Sequence, residues 1–413
     1  VNKISGTPAT GDFGTTGMIT VTAVNGIAPD GVQEFSIVVE RSVIYVKSNA
    51  TGLNNGSSWT NAFTSLQDAL AVAPAGFDIW VAAGTYRPAG TGGDRVYSFN
   101  MKENVNIYGG FSGTETAFNQ RNWETNVTIL SGDLNGNDVG FANNGENSYH
   151  VLIGCDNAII DGFTISGGNA NDGSGSNYHG GGMICSGSSL TVKNCTFSRN
   201  TAMYNGGGMY CSLFSSPTIS NCTFSGNTAN YGAGMYNGDY SLPTLTDCLF
   251  SGNTAGIGGG MFNGNYSMLT LTDCLFSGNT ASLGGGMFNE YRSSPSLTNC
   301  AFTENSASTG GGMFNNAFSL PTLTDCLFSG NTANSGGGMY NDDYSVPTVT
   351  DCIFSGNTAS SLGGGMYNYE YSSPTLTDCI FSGNTAGFGG GMYNGYRRSE
   401  ERRVGKECRY RWS

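Results

Sequence analysis

Gly258-Gly259-Gly260-Met261-Phe262-Asn263, a short polar turn, then Thr270-Leu271-Thr272-Asp273-Cys274-Leu275-Phe276-Ser277-Gly278-Asn279-Thr280-Ala281: this stretch decides the fold, because it recurs. Gly-(Gly/Ala)-Gly-Met places its Met at 183, 209, 235, 261, 287, 313, 339, 366 and 392, a spacing of 26 with a single 27. Cys-x-Phe-x-x-Asn keeps phase with it, with Cys at 195, 222, 248, 274, 300, 326, 352 and 379. Two motifs that share a period define a stacked solenoid. Each unit holds short apolar-polar alternations and Gly-rich corners. None holds a run suited to a long helix. One unit cannot bury its own apolar face, but stacked units can. Coils winding in one sense form parallel sheets, and right-handed crossover is the strong default. The expected fold is all-β: a right-handed parallel β-helix with one coil of about 26 residues per repeat. At about 4.8 Å per coil the regular copies make a rod roughly 40 Å long.

Stacking turns each repeated position into a column. The Met and Phe columns, Met183 to Met392 and Phe197 to Phe381, are expected in the core. Asn200, Asn227, Asn253, Asn279, Asn305, Asn331, Asn357 and Asn384 are expected to form an amide ladder at a corner. Cys in this setting acts as a small buried hydrophobe. Cys-x-x-Cys is absent, which argues against a zinc site.

Composition sets outer bounds. The 413 residues include 65 Gly, 12% aromatics and only 11% charged residues. Glycine lacks the collagen period, and the aromatic content argues against disorder. A net charge of −13 argues against nucleic acid as a partner. No apolar run reaches the length of a membrane span.

Residues 1–41 lie outside the repeat. Met18 to Val24 and Phe35 to Val39 alternate around turn residues, a hairpin pattern. With Ile4-Ser5-Gly6-Thr7-Pro8 they resemble the C-terminal part of the immunoglobulin-like modules strung along bacterial surface proteins. The chain is therefore expected to be a segment of a longer protein. Residues 43–165 read as an N-terminal cap and irregular early coils, with Thr64-Ser65-Leu66-Gln67 opening a short plugging helix. Residues 166–396 are the regular repeats. Residues 397–413 carry seven of the 17 Lys and Arg and break every pattern, so they read as a non-native tail.

Ser57-Ser58-Trp59, Leu66-Gln67-Asp68-Ala69-Leu70, Ile79-Trp80-Val81-Ala82-Ala83-Gly84-Thr85-Tyr86 and Tyr108-Gly109-Gly110-Phe111 resemble the opening of pectin-lyase-like β-helix surface proteins. The later units resemble polymorphic outer-membrane-protein repeats. These resemblances imply an extracellular or outer-surface location and a structural, adhesive role, with a glycan or cell-surface protein as partner. They also keep open a polysaccharide lyase or hydrolase of the same fold.

For catalysis, the chain offers two His and no nucleophile elbow, zinc-protease or phosphate-loop motif. Enzymes of this fold need a local cluster of carboxylates that breaks the repeat. The irregular zone is the one place for it, through Asp133, Asp138, His150, Asp161, Asp172 and His179, with Arg121 nearby in sequence. The sequence favours a non-enzyme, since the regular coils offer no special place. No cofactor is expected. Asp247, Asp273, Asp325, Asp351 and Asp378 share one column, with Asn194, Asn221 and Asn299 in its other places. Such a column has the chemistry to hold Ca²⁺, while Asp and Asn also make turns, and the turn reading is preferred. Outward Thr pairs such as Thr270/Thr272 resemble the flat face of β-helical antifreeze proteins, and Thr is also simply a good strand residue.

Two aromatic columns remain. One is Tyr210, Tyr236, Phe262, Phe288, Phe314, Tyr340, Tyr367 and Tyr393. Each neighbours an inward Met and is expected to point outward, either as a sugar- or protein-binding stripe or as stacked rings that stabilise neighbouring strands. The other is Phe214, Tyr240, Tyr266, Tyr291, Phe318, Tyr344 and Tyr371.

Overall fold

The 26-residue period becomes one turn of a coil in the computed structural model, which describes residues 16–23, 31–38, 41–173 and 177–395. Four parallel sheets build the rod, of 12, 11, 8 and 11 strands, the 8-stranded one beginning only at Asn169–Ala170. Within one unit, Thr270–Thr272 lies in the first, Leu275–Ser277 in the second, Thr280–Leu283 in the third and Met287–Asn289 in the fourth. We call them the leucine, phenylalanine, alanine and methionine sheets after their inward residues. Pairing is strictly in step: Leu271 meets Leu297, Phe276 meets Phe302 and Met287 meets Met313.

The inward columns follow from period-2 alternation. Leu271, Phe276 and Met287 are fully buried, and Cys274 nearly so. The Phe rings from Phe197 to Phe381 stack 4.7–4.8 Å apart with interplanar angles of 3–5°. Burying each ring is worth about 1.5–3 kcal/mol, and ring–ring contact adds about 0.5–1.5 kcal/mol. The free Cys thiols line the same core as small apolar groups.

The expected Asn ladder is present. Asn279 Nδ2 donates to Asn305 Oδ1 at 2.9 Å and to Phe250 O at 2.9 Å, while its Oδ1 accepts from the backbone N–H and the amide of Asn253. Each amide thus satisfies a buried corner that the chain itself leaves open. At the head of this ladder Ile165 takes the place of Phe197, and the backbone N–H of Gly168 donates to Asn200 Oδ1 at 3.0 Å. A second ladder was not anticipated. Asn237, Asn263, Asn289, Asn315, Asn341, Asn368 and Asn394 pass a bond of 2.7–2.9 Å from each amide to the next.

The one coil of 27 in the Met series is absorbed locally. Ala333 pairs with Ala359 but Ser335 pairs with Leu362, a bulge in the alanine sheet. Met339 and Met366 stay in register.

The short helix expected near the start of the rod is present, one residue later than the Thr64–Gln67 box would start it. Ser65 caps a helix, α1, over Leu66–Val72, its side chain accepting from Asp68 N. Leu66, Ala69 and Leu70 face the core beside Val46 and Val81. Residues Thr16–Ala23 and Gly31–Val38 form the expected antiparallel hairpin. The remainder of the immunoglobulin-like resemblance, and the tail at 397–413, fall on residues outside those described.

Candidate functional site

The first aromatic column does leave the Met core, but it does not reach solvent. Phe262, Phe288, Phe314, Tyr340 and Tyr367 are only 2–8% exposed. They form a second apolar cluster, covered by Tyr231, Ile257, Leu283, Leu362 and Tyr369. The cause lies in the glycine corner. Gly258 and Gly284 adopt φ of +67° and +63°, which turns the chain back against the ring that follows. A Cβ at Gly284 would sit 3.0 Å from the Cβ of Phe288. The open ring faces expected at Phe262 to Tyr367 are therefore not found. Tyr210, Tyr236 and Tyr393 at the two ends are half-buried.

The second column is the exposed one. Phe214, Tyr240, Phe318, Tyr344 and Tyr371 are 39–68% exposed. All of them, with Tyr266, sit in the left-handed backbone region at φ of 56–62°. Arg292, at φ +55°, holds this place in the remaining coil, and Tyr291 stands one residue before it. The expected register for Tyr291 is therefore corrected by one. Backbone bonding fixes the assignment. Tyr266 N donates to Tyr291 O, Arg292 N to Ala317 O and Phe318 N to Asp343 O, coil after coil. A Ser stands behind each ring, and Ser215, Ser267, Ser293 and Ser319 bond the turn through their hydroxyls, whereas the hydroxyls of Ser241 and Ser345 find no partner. Ser215, Ser241, Ser267, Ser293, Ser319 and Ser345 are fully buried, and the Ser267 hydroxyl donates to Gly238 O at 3.0 Å.

The ladder stacks on itself. Tyr240 and Tyr266 lie 5.1 Å apart at 1°, Phe318 and Tyr344 5.2 Å apart at 5°, Tyr344 and Tyr371 4.8 Å apart at 9°. The Arg292 guanidinium lies 5.9 Å from both the Tyr266 and the Phe318 ring. The Tyr291 ring also bridges the gap, edge-on to Tyr266 at 5.5 Å and to Phe318 at 6.0 Å, with the guanidinium 5.1 Å from its centroid, so the parallel stack is interrupted in this coil. Leu242, Met268, Leu320 and Val346 are exposed beside the ladder. Asp239, Glu290, Asp343 and Glu370 stand in the same turns. The result is one ridge of ring edges, phenol hydroxyls and carboxylates, repeated per coil. It offers no nucleophile paired with a base.

The six residues expected as an alternative catalytic set do not form one site. Asp133 and Asp138 do come together, with Glu146, which the sequence reading passed over. Asp161 is spent elsewhere: it is 6% exposed and ion-paired to Arg121 at 2.6 Å. Asp161 also accepts from Asn194 at 2.7 Å, one residue before Gly162, which holds the corner position of the column at φ +84°. His150 is buried with Nδ1 against Gly180 O, and burial pushes its imidazole below the usual range. His179 stacks on Tyr210 at 4.6 Å and 6°, capping the first aromatic column. Burial, reinforced by His150, pushes the His179 imidazole down to about 4. Asp172 is bonded through Asn177 in a different loop.

The Asp column at 247, 273, 325, 351 and 378 is exposed, each residue in the left-handed region at φ of 48–55°. Asn194, Asn221 and Asn299 share that conformation. Asp and Asn are the side chains that tolerate it best after Gly, which accounts for the column. Among the described residues these Asp do not gather as three ligands around a point. Between this corner and Trp123 runs a shallow groove, lined by Val127, Thr164, Asn194, Thr196 and Asn221.

Among the described residues no helix is long and apolar enough to cross a membrane. No curated protein matches the sequence. The folds of several solved proteins are similar at low identity. Pectate lyase Pel9A is 15% identical, with a TM-score of 0.41, over 82% of this chain and 78% of that one. The tailspike gp49 of Acinetobacter baumannii bacteriophage Fri1, a capsular polysaccharide depolymerase, is 14% identical, with a TM-score of 0.43, over 90% and 66%. The A-module of Azotobacter vinelandii mannuronan C-5 epimerase AlgE6 is 11% identical, with a TM-score of 0.33, over 80% and 94%. The family model described as "Right handed beta helix region" matches residues 131–260 and 258–386, more than half of the chain, and the parallel sheets agree with it. The chain belongs to the right-handed β-helix family.

Proposed function

We propose that the chain is a structural and adhesive segment of a secreted or cell-surface protein, and that it binds glycan through its side face. The observation that carries this reading is the ladder Phe214, Tyr240, Tyr266, Arg292, Phe318, Tyr344 and Tyr371, exposed at every rung but the half-buried Tyr266. A bulky side chain in the left-handed region costs roughly 1–2 kcal/mol. The chain bears that cost coil after coil where Gly or Asn would avoid it. Ring edges beside hydroxyls and carboxylates suit the apolar and polar faces of a sugar, and a repeated array gains from multivalency.

The backbone supplies a clean test. Asn accepts the left-handed region, so Phe318→Asn, Tyr344→Asn and Tyr371→Asn together remove the rings without adding strain. The variant is expected to lose retention on glycan arrays or cells while keeping a cooperative melt within a few degrees of the parent. Retained binding, or a collapsed melt, makes the ladder scaffold and refutes the reading. The buried column is the control. Tyr340→Thr is expected to cost about 2–4 kcal/mol, as large-to-small core changes do. A second reading, a polysaccharide lyase or hydrolase acting in the irregular coils, rests on the Asp133–Asp138–Glu146 cluster. Turnover of a polysaccharide by the parent, lost in Asp133→Asn, would establish it.

A further inference from the structure

The loop from Gly132 to Ser148 links a phenylalanine-sheet strand, Thr128–Ser131, to a methionine-sheet strand, Leu152–Ile153. It brings one carboxylate oxygen each from Asp133, Asp138 and Glu146 within 4.8 Å of one another. The ion pairs Arg41–Asp78 and Arg121–Asp161 lie elsewhere, and the positive charge of Arg199 acts on Asp138 through space. Arg87 reaches the loop, but its Nε donates to the main-chain oxygen of Asp133 at 2.6 Å.

Asp133 organises the turn. Its Oδ1 accepts from Gly136 N at 2.6 Å and Asn137 N at 3.1 Å, and its Oδ2 from Asp138 N at 3.2 Å. Asn147, fully buried, stands against the cluster: its Nδ2 holds Asp138 Oδ2 at 2.7 Å and Gly167 O at 2.7 Å. Three oxygens are then buried with no hydrogen-bond partner. They are Asp138 Oδ1, Glu146 Oε1 and Asn147 Oδ1. All three are acceptors, and an orphaned buried acceptor costs about 1–3 kcal/mol, more if charged. An acceptor-only set of hard oxygens, with no sulfur or imidazole among them, selects Ca²⁺ over Zn²⁺. Carboxylates and an amide spread along a loop suit the looser shell of Ca²⁺ better than the near-ideal octahedron of Mg²⁺.

The geometry points to a Ca²⁺ site in this loop, with ligands from Asp133, Asp138, Glu146 and the amide oxygen of Asn147. The site lies where the irregular coils meet the regular stack. Asn169, on the next coil, donates its N–H to Ser148 O and its amide to Asn144 O. A cation here therefore clamps the loop that joins the two zones.

The experiment uses the full chain stripped with EGTA, then titrated with CaCl₂ or MgCl₂ by calorimetry and followed by thermal melting. One Ca²⁺ per chain is expected to bind in preference to Mg²⁺ and to raise the melting temperature by mass action. Asp138→Asn with Glu146→Gln should weaken binding by more than about tenfold, since loss of second-shell groups alone costs that much. Single Glu146→Gln, which removes one charge from a crowded set, covers the case in which the double variant fails to fold. Asp273→Asn with Asp325→Asn should leave binding unchanged. No Ca²⁺ binding by the parent overturns the proposal. So does binding that survives Glu146→Gln at parental strength, or that is lost in the Asp273/Asp325 variant. Glycan retention by the ladder is a separate readout, so failure here leaves the adhesive reading untouched.

Discussion

A single backbone angle separates the two aromatic columns. Phe288 follows a left-handed Gly and is folded under Leu283, whereas Tyr344 is itself left-handed and stands in solvent. Side-chain chemistry is nearly the same in the two columns, so sequence alone does not tell cover from display. His179 poses a related question at the head of the buried column. Its folded value of about 4 lies below the free value of 6.5. Between those values the unfolded chain binds more protons than the folded one, so stability rises with pH across the window. The stabilisation is complete above about pH 6.5 and is lost as pH falls through 4. His150, also shifted down by burial, acts in the same direction. His179→Phe keeps a ring on Tyr210 and removes one titrating group. Its melting temperature is expected to fall less than the parent's between pH 6.5 and 5. Equal acid sensitivity in both proteins would mean that His179 is not held neutral in the fold.

At the scale of the element, the amide ladders show what periodicity reveals and what it hides. The Asn200 to Asn384 ladder was legible because Asn closes the Cys-x-Phe-x-x-Asn motif and a buried corner needs donors and acceptors. The Asn237 ladder follows each Met-aromatic pair just as regularly, but reads as part of a strand. Its first member shows the rule. Cys211 pairs with Asn237 in the preceding coil, and Asn237 Oδ1 is buried without a donor. Cys211→Asn is therefore expected to extend the ladder and stabilise, by about 1 kcal/mol from the bond gained. Asn279→Ala does the reverse. It strips the Asn253 N–H, one Asn253 amide bond and Phe250 O of partners, and is expected to cost at least about 2 kcal/mol. A thermal or urea melt of each variant checks both signs. The acidic cluster was half legible. Asp133 and Asp138 were named from their break in the repeat. Glu146 and Asn147 were not, because a non-repeating loop leaves no column to read. Arg292 escaped notice for a different reason: its column was read by ring type alone, so Tyr291 one residue earlier took its place.

At the scale of the molecule, stability in such a rod is close to a sum of coil and interface terms, since each coil touches only its neighbours. That makes the period itself testable. Deleting Phe262–Met287 removes 26 residues and joins Met261 to Phe288. Every column then closes over the gap, because Met261 already pairs with Met287 and Phe262 with Phe288. The shortened chain is expected to melt cooperatively, to lose about 4.8 Å of length in solution scattering, and to keep Ca²⁺ binding in the distant Gly132–Ser148 loop. Deleting Phe262–Gly286, one residue fewer, leaves Met287 where Phe288 should fall. A one-residue slip sends inward side chains outward along a strand, unless the alanine sheet absorbs it in a bulge, as it does between Ala333 and Ser335. The expected order of melting temperature is parent, then the 26-residue deletion, then the 25-residue deletion. If the two deletions melt alike, bulges absorb register errors freely, and the 26-residue period reflects how the gene was copied more than what the fold requires.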